Sequence, residues 1–208
     1  MPEELGKIER PAVDDIKPGR KVYFVPLIFV PQEPPEDLSG IVERYWDQVE
    51  SHISNLEAKL GGVNRIFHEL APVGGEDGAK AIQEMNKGSH KIANGRLEKG
   101  AELEPLEDAE LLAEFMDWGR CLGIGFQSPK VFNHVYEAFT EVQKRRTEQL
   151  AKRLDEALKE GEVGMLLMRE GHQVQFASDI QVFYVSPPAL DEINRWLREH
   201  GREHGERG

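Results

Sequence analysis

Residues 161–188, GEVGMLLMREGHQVQFASDIQVFYVSPP, constrain the fold more than any other stretch of this chain. A long charged helical pattern leads into Val163–Met168, which is apolar or glycine at every position. A strand without polar alternation is buried on both faces, as strands are in the parallel sheets of α/β proteins. Such a sheet presents polar side chains beside a cleft where its strands end. Here the strand runs out into Glu170-Gly171-His172, and a second strand, Ile180–Val185, follows almost at once. The segment thus indicates a fold class and one candidate site, but no reaction.

The front of the chain repeats the theme. KVYFVPLIFV, residues 21–30, is rich in β-branched and aromatic residues and reads as a doubly buried strand. Pro26 within it points to an edge or a bulge, because proline donates nothing to a ladder. Ile41, Tyr45, Val49, Ile53, Leu56 and Leu60 then recur at intervals of three and four, and Gly61-Gly62 ends that helix. VNRIFHEL supplies a second strand. Strand, long helix, strand is the βαβ pattern of a parallel pair.

Residues 76–160 read as a large helical insertion between the second and third strands. Sparse apolar residues around Gly88, Gly95 and Gly100 suggest a lid or peripheral hairpin, and 106–122 form a stronger helix. Ser128-Pro129 is a helix start signal for a run to about Lys159, with a kink near Arg145 where the stripe fades between Val142 and Leu150. A last helix starts after Ser186 and runs to about His200. The expected architecture is α/β, a small mostly parallel sheet of about four strands. The short link between the last two strands leaves room for one antiparallel edge. A single domain spans 21–200, with a flexible arm at 1–20 and a disordered tail at 201–208.

Composition narrows the functions. The net charge is −12 and no basic patch interrupts it, which argues against a nucleic-acid partner. Cys121 is the one cysteine, so neither an intramolecular disulfide nor a cysteine-based metal cluster can form. No apolar run approaches the ~20 residues of a membrane span. The polar, acidic start is unlike a signal peptide. A soluble cytoplasmic protein is the expectation.

Two strand ends carry candidate chemistry. His68-Glu69 closes the second strand, and Gly74-Gly75-Glu76-Asp77 follows. Glu69 suits a general base or a metal ligand, and Glu76 and Asp77 complete an acidic set; the plainer reading makes them helix-capping acids opposing a dipole. His172 suits a ligand or proton shuttle after the flexible Gly171, or else a turn histidine bonded to a carbonyl. Arg145 and Arg146 precede the same strand and suit an anion clamp or a solvated basic pair. The candidate catalytic residues are therefore Glu69, Arg145 and His172. The candidate metal set is His68, Glu69, Glu76 and His172, for a divalent cation.

From Arg145 onward, RRTEQLAKRLDEALKEGEVGMLLMREGHQV resembles the C-terminal half of the TraB, TIKI and erythromycin-esterase-like superfamily. That resemblance matches Arg145 or Arg146 to the family's helix arginine and His172 to its strand-end histidine. It matches Glu69, at the end of RIFHEL, to the family's strand-end glutamate. It implies a hydrolase-like activity, possible with a metal, in a cleft at the carboxyl ends of the strands. The first strand here has no histidine, whereas the family's does, so half of that centre has no counterpart.

Two functions follow. One is a non-catalytic or degenerate binding and oligomerisation module. Its motive is the aromatic load of Phe115, Trp118, Phe126, Phe132, Tyr136 and Phe139, which predicts self-association, as a homodimer, through helices of residues 106–145. The alternative is the hydrolase-like enzyme just described.

Overall fold

A computed structural model describes residues 19–30 and 34–205, the side chains of 201–205 excepted. The expected arm, apart from its last two residues, and positions 206–208 of the expected tail lie outside the described residues. Five strands form one sheet: β1 (Arg20–Pro26), β2 (Arg65–His68), β3 (Glu102–Glu104), β4 (Val163–Met168) and β5 (Ile180–Tyr184). Their order is β3-β2-β4-β1-β5, and every pairing is parallel.

Alternation along the strands builds two cores. Tyr23, Val25, Ile66, Met165 and Leu167 point to one face. There they pack on α1 (Glu36–Leu60), α2 (Gly75–Met85), α3 (Lys87–Leu97) and α6 (Pro188–Gly205). Val22, Phe24, Phe67, Leu166 and Met168 point to the other, against Leu150 and Leu154 of α5 (Pro129–Ala157) and against Val174, Phe176 and Ala177 of the β4–β5 link. Connections leading toward β3 thus cover one face and connections leading back toward β5 cover the other. A single crossover handedness requires that division.

The sheet departs from expectation in three ways. It has five strands, because the three-residue β3 lies inside the stretch read as an insertion; its sequence, ELE, buries only Leu103 and carries no strand signal. Residues 75–97 are consequently the β2–β3 connection, with Ile82, Ile92 and Ala93 in the core, and not a lid. The β5 edge is parallel, since the 169–179 link is long enough to cross the second face. Pro26 sits in a central strand but as its last residue, where the ladder passes to the amide of Leu27, 2.9 Å from the Met168 carbonyl.

α4 (Ala109–Gly123) and the first half of α5 form a helical hairpin. Asp108 caps α4 by accepting from the amides of Glu110 and Leu111, both at 3.1 Å. α5 runs unbroken past Arg145. Phe115 and Phe139 stack between the two helices with ring centroids 5.3 Å apart. Leu112 is the one buried residue of α4, and before Arg146 only Val135 and Val142 of α5 are buried. From Arg146, which bonds Glu69 at the end of β2, the hairpin arm of α5 runs back to Pro129 over a length of roughly 26 Å.

Candidate functional site

The links from β1 and β2 leave over the first face, and the link from β4 leaves over the second. Clefts in parallel sheets open where neighbouring links diverge in this way, so the carboxyl end of β4 is the place to look. Glu69, one residue beyond β2, fills it and is 3% exposed. Its carboxylate accepts from the Arg169 amide at 2.9 Å, from the Arg169 Nη2 at 2.8 Å and from the Arg146 Nη2 at 3.3 Å. Arg146 also donates through Nε to Glu107 at 3.0 Å, and a second, shorter bond joins the same pair. Glu107 accepts from the Leu70 amide at 3.2 Å, and Leu70 takes a left-handed turn with φ 67°. Arg153 donates to the Glu107 carbonyl and to Asp108.

Glu69, Glu107, Arg146 and Arg169 thus form a balanced cluster of two acids and two bases. Burial opposes ionisation of Glu69, but the hydrogen bonds and charges of Arg169, with the charge of Arg146, outweigh it and hold the carboxyl below its ordinary range. Burial likewise works against the charge on Arg146, and Glu107 and Glu69 overcome it. A carboxylate whose two oxygens are engaged by two guanidinium groups and an amide is a weak base. It has little left to offer a metal ion.

His68 precedes Glu69 and so points to the opposite face. It is fully buried. Its Nδ1 lies 2.5 Å from the Glu69 carbonyl and its Nε2 lies 2.9 Å from the Ser89 hydroxyl. A carbonyl only accepts, so Nδ1 carries the proton and Nε2 is an acceptor for the Ser89 hydroxyl, whose one hydrogen is shared with the Asn86 carbonyl 3.1 Å away. Burial lowers the imidazole pKa to about 4, which keeps the ring neutral. The pair has the geometry of a nucleophile and its base. Neither side chain reaches solvent, so it serves to lock the start of α3 to the end of β2.

His172 follows Gly171, whose φ of 75° makes the turn that the sequence implied. Its ring packs on Phe24 at 4.8 Å and Phe176 at 5.8 Å between centroids. Burial lowers its pKa and the charge of Glu69 acts in the other direction. Its Nδ1 is buried without a hydrogen-bond partner.

Of the residues singled out from sequence, Glu69 and Arg146 meet directly, and His172 feels the Glu69 charge. Arg145 is turned outward to Glu114, 2.7 Å away on the hairpin. Glu76 and Asp77 are exposed in the first turn of α2, where they oppose its dipole. Among the described residues, no group of three or more His, Cys, Asp or Glu side chains is placed to hold a metal ion. The residues missed from sequence are Arg169 and Glu107. Arg169 was within reach, as the first polar residue after β4.

No protein-family model, curated protein or solved structure matches this chain. Among the described residues, no helix is long and apolar enough to cross a membrane.

Proposed function

We propose that this chain is a non-catalytic association module whose working surface is the α4–α5 hairpin and which self-associates through residues 106–145. The observation that carries this reading is the apolar side-chain content left in solvent there. Met116, Ile124, Val131, Phe132 and Tyr136 are all exposed, Ile124 at 79%. Phe132 stacks on Tyr136 at 5.8 Å and meets Phe126 at 6.2 Å with the rings tilted by 60°, so the three rings form one connected patch. Two helices packed only on each other bury one stripe apiece, and a further apolar face calls for a partner. The closed ion-pair cluster at the carboxyl edge supports the same reading, because it leaves Glu69 no free lone pair for catalysis. Light scattering at micromolar protein tests it. The wild type is expected at twice the mass of one chain, and a Phe132→Glu, Tyr136→Glu variant at the single-chain mass. A wild type at single-chain mass removes the reading.

The unpartnered Nδ1 of His172, within the electrostatic reach of Glu69, favours the second reading, a hydrolase-like cleft of the kind that the TraB-like resemblance implies. Metal-dependent stabilisation that is lost on changing His172 would support it.

A further inference from the structure

We infer that the partner on the hairpin face is a second copy of this chain, with the two hairpins antiparallel and the two α/β bodies at opposite ends of the assembly. The inference rests on that self-association through the hairpin, and it adds the geometry. The position of the patch comes first. Four of the five exposed apolar side chains, Ile124, Val131, Phe132 and Tyr136, belong to the outer part of the hairpin, and Met116 follows Phe115 nearer its root. A two-helix face of this kind is half of a four-helix bundle. It is self-complementary about a two-fold axis, where each copy offers the other the same surface.

Charge selects the copy and the direction. Between residues 115 and 140 the charged side chains are Asp117, Arg120, Lys130 and Glu137, which cancel, while the whole chain carries −12. The patch is thus a neutral surface on an acidic molecule, and contact through it brings no net charge together. Hairpins running parallel would set two acidic bodies side by side. Antiparallel hairpins keep the bodies apart by at least the ~26 Å of hairpin length, several times the ~8 Å screening length at physiological salt. The root is braced for this: Arg145 bonds Glu114 at 2.7 Å, and Arg146 bonds Glu107 and lies 4.6 Å from the Phe115 ring centroid.

Light scattering combined with small-angle X-ray scattering on the full chain tests the proposal. A compact body of two chains, twice 208 residues, has a radius of gyration of ~22 Å, whereas the two-lobed arrangement exceeds ~30 Å. The expected result is a two-chain mass, a radius above ~30 Å and a second maximum in the distance distribution. A two-chain mass with a radius near ~22 Å overturns the antiparallel arrangement and leaves self-association standing. A single-chain mass overturns self-association itself. Phe132→Glu is expected to give the single-chain mass with an unchanged circular dichroism spectrum. If that variant fails to fold, Tyr136→Lys serves instead, since its ring is exposed. A soluble, folded variant that keeps the elongated two-chain form overturns the hairpin contact.

Discussion

The carboxylate of Glu69 is held by both the backbone amide and the guanidinium of Arg169, a residue 100 positions away in the chain. This contact joins the ends of the adjacent strands β2 and β4, and Arg146 extends it to the root of the hairpin. The carboxyl edge is therefore closed by ion pairs where parallel sheets commonly open.

The cluster predicts an order of stabilities. Arg146 is buried between two buried carboxylates; Arg146→Ala leaves Glu107 without its guanidinium partner and Glu69 with Arg169 alone, and is expected to cost about 3–5 kcal/mol. Arg169 is half exposed, and water replaces part of what Arg169→Ala removes, so its cost is expected to be clearly smaller. Urea denaturation of the two variants measures both. Equal losses, or a reversed order, would mean that Arg146 is not the centre of the cluster.

A pH dependence follows from His68. Its folded-state pKa of about 4 lies below the ordinary 6.5, so between these values the unfolded chain binds the extra proton. Its contribution is present in full above pH 6.5 and is lost as pH falls toward 4. The depressed pKa of Glu69 adds a further loss in acid, below its ordinary carboxyl range. The His68 part amounts to about 3 kcal/mol. Ring NMR shifts of His68, followed with denaturation at several pH values, check this. A His68 titration near 6.5 would exclude it.

How much of this was legible in the sequence depends on the residue. Strand ends were readable, and with them Glu69 and His172, because continuous apolar runs stop visibly. β3 was not, since a three-residue strand with one buried side chain has no period to detect. The choice between Arg145 and Arg146 was decidable in principle. Val142, Arg146, Leu150 and Leu154 are spaced by four and all are buried, so the apparent fading of the stripe was a charged residue occupying its inward position. What the sequence could not offer was Glu107, whose pairing depends on how α4 returns along α5.

Gly88 is expected to resist substitution. A Cβ there would stand 2.1 Å from the Trp46 Nε1, so α3 approaches α1 only because the side chain is absent. Gly88→Ala gains up to ~1 kcal/mol of helix propensity but forces the indole to move, an overpacking cost of about 1–3 kcal/mol. A lowered melting temperature is the expected outcome. An increase would mean that Trp46 yields freely.

The last prediction separates the two functional readings at His172. Its ring fills space between Phe24 and Phe176 while its Nδ1 is buried without a partner. A polar atom in that state is a cost, and an apolar ring of similar size relieves it. His172→Phe is therefore expected to match or exceed the wild type in stability, whereas His172→Ala loses packing and about 1–2 kcal/mol. Thermal denaturation of all three proteins, with and without zinc or manganese, gives the comparison. If the association reading holds, the metals change none of the three. A metal-dependent rise in the wild type alone, with a His172→Phe variant less stable than His172→Ala, would instead assign the nitrogen to a working centre.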